Sequence, residues 1–189
     1  MNVALKEWDL VCDLLVAGEQ IALVRKGGIH EPHRGAFTLE HDSFLLYPNA
    51  EHQSPDLVHP RFHAALRADA PVPRRDDEVL VPGYCRVTDV LPLAEPERAH
   101  ALAGHTCWND AFFAQRLAYK PERPLLLILT RAYRFSSPVR LPYHKAYAGC
   151  RSWVPLRDSV GDTTLASALP ALDDAAYEAR RQSLLRTVA

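Results

Sequence analysis

An α+β fold built as one domain is the architecture this sequence predicts, and three observations carry it. Apolar residues recur at helical spacing in "LKEWDLVCDLL". They alternate or run together, as strands do, in "EQIALVRK", "SFLLYP" and "RPLLLILTRAYRF". No internal repeat and no low-complexity linker divides the chain. Its 189 residues, 48% hydrophobic and 24% charged, suffice to bury one sizeable core. The expected organisation is a single α+β domain over residues 1–160, with a helical extension over 161–189 packed on it.

The elements follow in order. Leu5, Trp8, Val11, Cys12, Leu14 and Leu15 share a helical face, and Gly18 stands where a left-handed cap ends the helix. "EQIALVRK" is a strand with Ile21 and Leu23 on one face, ended by Gly27-Gly28, and Ile29 to Gly35 is loop. "AFTLEH" alternates with Phe37 and Leu39 inward, and "SFLLYP" is a more fully buried strand. Ser54 before Pro55 reads as an N-cap and first helical proline, so a helix is expected from Pro55 to about Arg67. "APVPRR" crosses to "EVLVPGYCRVTDVLPL", read as strands broken near Pro82-Gly83. "EPERAHALAG" and "TCWNDAFFAQRLAY" are two short helices, the second capped by Thr106 and burying Trp108, Phe112, Phe113 and Leu117. "RPLLLILTRAYRF" is the strongest strand. "SSPVRLPYHKAYAGCRSWVPL" supplies a loop and one further strand, and Asp173 to Val188 a closing helix.

A net charge of −1 argues against a broad electrostatic grip on nucleic acid and leaves room only for a local basic patch. The cysteines Cys12, Cys85, Cys107 and Cys150 stand apart, without the close pairs that zinc sites use. They read as buried thiols of a reducing, cytoplasmic compartment. Lys6, Glu7, Asp9 and Asp13 interrupt the first apolar run, so it is neither a signal peptide nor a membrane span. No cofactor fingerprint is present.

"LKEW", "RKGGI", "EHDSFLLYP" followed by "EHQ", and "LTRAYRF" resemble an uncharacterised bacterial family, a domain of unknown function, from Leu5 to about Leu156. That likeness implies no activity. "YCRVTDVLPL", the helical "EPERAHALAGH" and "NDAFFAQRL", and "PLLLILTRAYRFSSPVRLP" also resemble the second half of ASCH and EVE domains. This second resemblance implies a PUA-like small β-barrel, or a curled mixed sheet with flanking helices, that binds RNA or modified bases.

Chemistry concentrates in three segments. Arg25 and Lys26 supply charge for a phosphate, and Gly27 and Gly28 allow backbone N–H groups close to an anion. The same residues also suit a solvated turn that ends a strand. Glu40, His41, His52 and Gln53 are candidates to read polar edges or to orient the loop, and the plainer reading of both histidines is hydrogen bonding at strand ends. In "LPYHKAYAGCRSWVPL", Lys145 is a further phosphate contact, and Tyr147 or Trp153 a stacking face. Trp153 reads equally as core. The segments Arg25–Gly28 and Tyr143–Trp153 are expected to face each other across one groove.

His59 and His63 lie four apart, as two metal ligands on one helix face would, but "HPRFH" lacks the intervening carboxylate. No Gly-x-Ser-x-Gly elbow and no Rossmann fingerprint occurs. The leading expectation is a small non-enzymatic module recognising RNA or a nucleotide through a basic and aromatic groove, without metal or membrane. One alternative is a metal-assisted hydrolase or nuclease acting on a phosphate ester, with Glu40, Asp42, Glu51 and His52 around the ion and Lys26 stabilising charge. Another is a partner-binding structural protein. The oligomeric state is not legible in the sequence.

Overall fold

The apolar run that opens the chain divides into strand β1 (Val3–Trp8) and helix α1 (Asp9–Val16), in a computed structural model that describes residues 1–26, 37–67, 77–149 and 151–189. A helix from Leu5 was expected, but it begins only at Asp9, whose Oδ1 accepts the Leu10 N–H at 2.8 Å. The reason is position. β1 pairs on both edges and is buried on both faces, so it lacks the alternation that marks a half-exposed strand.

Strand β2 (Ala22–Arg25) and strand β3 (Ser43–Asn49) follow the sequence. Residues 37–41 of "AFTLEH" form no strand; Phe37 is buried against Trp153 instead. The expected helix from Pro55 is two 3-10 turns, Pro55–Leu57 and Pro60–Ala65. Proline disfavours helical geometry in the residue before it, and His59 accordingly sits at φ −63°, ψ 142°. Extended Val58 bridges Trp108.

Strand β4 (Glu78–Leu93) runs unbroken through Pro82-Gly83, where a register shift absorbs the proline. A Cβ at Gly83 would lie 2.1 Å from the Tyr133 carbonyl oxygen, so only glycine lets β4 pass there. Helices α2 (Pro96–Ala101) and α3 (Asp110–Ala118) follow. The α3 cap is Asn109, whose Oδ1 accepts the Phe112 N–H at 3.2 Å, while the Thr106 hydroxyl donates to the Leu102 carbonyl. Strand β5 (Leu125–Pro142) takes in "SSPVRLP", read above as loop, because Val139 to Pro142 pair with Glu78 to Val81. Strand β6 (Trp153–Pro155), helix α4 (Asp162–Ala166), strand β7 (Leu169–Pro170) and helix α5 (Asp174–Thr187) complete the chain.

The seven strands form one mixed sheet in the order β2-β5-β4-β3-β1-β6, with β7 pairing β5 off this path. The fold is therefore α+β, and among the described residues it is a mixed sheet with flanking helices that does not close into a barrel. β1 and β3 are parallel, and β3 pairs antiparallel to β4. One face carries a large core that includes α1, α3 and residues Tyr177, Leu184 and Val188. The other carries a smaller core around Tyr47, Tyr84 and Phe135. No helix among the described residues is long and apolar enough to cross a membrane.

Candidate functional site

The parallel strands β1 and β3 end together, Trp8 opposite Asn49, and their carboxyl ends open into a cleft of about 760 Å³. Alternation sends Lys6 and Glu7 to opposite faces of the sheet. Lys6 Nζ donates to the carbonyls of Tyr147 at 2.6 Å and Gly149 at 3.1 Å and lies 5.4 Å from the Tyr47 ring centroid. Glu7 meets β2: Oε2 lies 3.2 Å from Arg25 Nη2, and Oε1 accepts the Trp8 N–H at 2.9 Å. Arg25 Nη2 also donates to the Lys6 carbonyl at 2.6 Å. The pair is mostly buried, with side-chain exposures of 16% for Arg25 and 9% for Glu7. Removing one partner would leave the other charge uncompensated.

Lys26 Nζ donates to the carbonyls of Arg116 at 2.9 Å and Leu117 at 3.2 Å, in the last turn of α3. These carbonyls have no partner within the helix, and the negative end of its dipole favours a cation. Burial, together with the nearby Arg116 charge, holds the Lys26 amine below its ordinary pKa, against the raising effect of Glu122.

Aromatic rings form one wall. Trp8 meets Trp108 edge-on at 4.8 Å, Trp108 stacks on Phe112 at 4.1 Å, and the Arg116 guanidinium lies 5.3 Å from the Phe112 centroid. Such pairs contribute roughly 0.5–1.5 kcal/mol each beyond burial. Trp8 is half-buried and Tyr119 is 37% exposed, so both offer surface to a ligand. The segment after β3 supplies Glu51, His52, Ser54 and Asp56, with His52 held in the left-handed region at φ 62°. Arg151 and Ser152 close the opposite rim. Lys6, Arg25, Lys26, Arg116 and Arg151 thus outnumber Glu7, Glu51 and Asp56 around one concavity. The arrangement can stack a planar ring and hold an anion beside it.

The family model for a domain of unknown function, DUF1802, matches residues 4–183. The chain belongs to that family. The matched span includes every residue of the cleft, from Lys6 to Ser152. A mutant ASCH protein from Zymomonas mobilis, seen in a crystal structure, is similar at a TM-score of 0.43 and 10% identity, over 82% of this chain and 87% of that one. No curated protein matches.

The cleft brings together Arg25, Lys26 and His52 with Gly149, Arg151 and Ser152. Gly27 and Gly28 lie outside the described residues. Other candidates are placed elsewhere. Tyr147 is buried against Tyr47, Tyr143 and His144, and its hydroxyl accepts the Arg157 N–H at 2.7 Å, so no face of the ring is open to a base. Trp153 is core: it stacks on Phe37, meets Phe44 and His41 edge-on, and donates Nε1–H to the Thr38 carbonyl at 2.8 Å. Lys145 is exposed and does not line the cleft. Gln53 is buried beside it, donating from Nε2 to Asp9 Oδ1 and to the Asn49 carbonyl.

Glu40 and His41 precede β3, whereas the cleft lies beyond its other end. Seven residues of strand span about 20 Å. Glu40 and Asp42 therefore cannot share an ion with Glu51 and His52. No group of three or more His, Cys, Asp or Glu able to hold a metal occurs among the described residues. His59 Nε2 lies 2.8 Å from the Ala103 carbonyl and His63 Nε2 3.3 Å from that of Val58, both on a 3-10 turn and its cap. Among the cleft residues that sequence reasoning missed are Glu7, Trp8, Arg116 and Tyr119. "LKEW" carried two of them, hidden by the helical reading of β1.

Proposed function

We propose that the cleft at the ends of β1 and β3 binds RNA or a nucleotide, the base against its aromatic wall and the phosphate at its basic rim. The observation that supports this reading is the meeting of Arg116 and Arg151 with half-exposed Trp8 and exposed Tyr119 around one concavity. Base–aromatic stacking is tolerant of sequence, and a few cations suffice for a backbone contact. A net charge of −1 suits such a local site and not a long electrostatic track.

The test is titration of a short labelled single-stranded RNA at several salt concentrations. Each neutralised phosphate contributes a slope of about −0.7 in log K against log salt, so Arg151→Ala reduces the slope by about 0.7. Tyr119→Ala weakens binding by roughly 1–3 kcal/mol and leaves the slope unchanged, because stacking releases no ions. Absence of saturable binding at micromolar protein, with RNA and with mononucleotides alike, would overturn the reading.

A further inference from the structure

We infer that Lys26 is a positioning residue of the cleft: it sets the last turn of α3 for the ligand and does not itself touch phosphate. The inference rests on the nucleotide reading above. Phe112, Gln115, Arg116 and Tyr119 all line the cleft, and their helical spacing puts them on one face of α3 and its C-cap. The proposed ligand contacts on this face, Arg116 and Tyr119, lie at its far end. The start of α3 is fixed by Asn109, which accepts the Phe112 N–H and donates from Nδ2 to the carbonyls of Asp56 at 2.8 Å and Val58 at 3.1 Å. The other end is tied to β2 by Lys26, through the carbonyls of Arg116 and Leu117.

The surroundings of the Lys26 ammonium decide against a phosphate. Lys26 is 5% exposed, and two of its three N–H donors already reach carbonyls. An anion bound at Nζ would also meet the negative end of the α3 dipole, and Glu122 lies near enough to act on the amine. Arg116, by contrast, is exposed, with its guanidinium over the Phe112 ring. A cation held against helix-end carbonyls orders the turn before the ligand arrives, so binding does not have to supply that order.

The test uses the full chain and a short labelled single-stranded RNA at low salt, where affinity is highest. Lys26→Met removes the charge and keeps an unbranched apolar stem. It is expected to weaken binding by on the order of tenfold, because the ligand must then order the turn itself. In Arg116→Ala/Tyr119→Ala protein the same change is expected to cost less than about threefold, since little of the wall is left to position. A loss of equal size in both backgrounds would mean direct contact and would overturn the inference, as would no loss in either. A second measurement needs no variant and stands even if Lys26→Met fails to fold. Wild-type protein, free and saturated with RNA, is treated briefly with an amine-acetylating reagent, and Lys26 and Lys145 are compared by peptide mass spectrometry. Lys26 is expected to react far more slowly than exposed Lys145 in both states. Lys26 reacting as fast as Lys145 in the free protein, and protected by RNA, would make it a phosphate contact and overturn the inference. A wild-type chain that binds neither RNA nor mononucleotides overturns the nucleotide reading and the inference with it; RNA binding without the Lys26 effect overturns the inference alone.

Discussion

Burial pushes the Cys85 thiol up to about 12, and it holds the Cys12 and Cys107 thiols well above their ordinary range, with the Glu7 charge adding to both. The thiolate is the reactive form, so these side chains are inert while folded. Peptide mass spectrometry after iodoacetamide at pH 8 should find Cys12, Cys85 and Cys107 unlabelled in native protein and labelled once denaturant unfolds it; rapid native labelling would show that the cores open locally. Side chains also set how much of the cleft could be read in advance. Arg25 and Lys26 drew attention because two cations before paired glycines at a strand end suit an anion, although the same residues also suit a solvated turn. What Lys26 touches was not legible, since the carbonyls of Arg116 and Leu117 lie 90 and 91 residues away. Tyr147 and Trp153 share one composition signal, aromatics among cations, yet distant partners such as Tyr47 and Phe44 bury both rings.

Among the elements, the β4–β5 pair dominates the sheet, and one residue controls how it passes its bulge. Gly83→Ala places a methyl against the Tyr133 backbone, which cannot turn aside as a side chain would. We expect a loss of roughly 3 kcal/mol, or a fall in Tm of at least about 6 °C in a chain of this size, measured by thermal unfolding. An unchanged Tm would mean that β4 relaxes around the bulge. The strands with alternating or long apolar runs, β2, β3 and β5, were legible because their patterning follows directly from the pleat. β1 was not, because it is buried on both faces. The Pro55 helix failed for a local reason: Pro60 holds His59 extended, and the bridge between Val58 and Trp108 satisfies backbone groups that a helix would otherwise have satisfied.

At the scale of the whole molecule, α5 closes the large core. Tyr177 and Leu184 insert into it, and Arg181 grips Asp89 of β4 with Nε to Oδ2 at 2.7 Å and Nη2 to Oδ1 at 2.5 Å. The Arg181 hydrogen bonds hold the Asp89 carboxyl below its ordinary pKa, against the raising effect of burial. A depressed carboxyl stabilises the fold above the unfolded pKa of about 3.9, and that contribution is lost as pH falls through the lower folded value. Asp89→Asn should therefore lower Tm at pH 7 by about 2–4 °C, for a two-pronged pair of about 1 kcal/mol. The gap to wild type should close below about pH 4; a gap that persists there would mean that packing, not charge, joins α5 to the sheet. By itself the sequence determined the α+β class, most strands, the closing helix and the two cations at the end of β2, because period, turn chemistry and charge act within a few residues. Only the tertiary structure decided that β1 lies inside the sheet between β3 and β6, that Glu7 and Trp8 enter the cleft, and that Glu40 and His41 stand a strand's length away from it. Those outcomes depend on which strand pairs with which, and pairing is settled by burial among residues far apart in the chain.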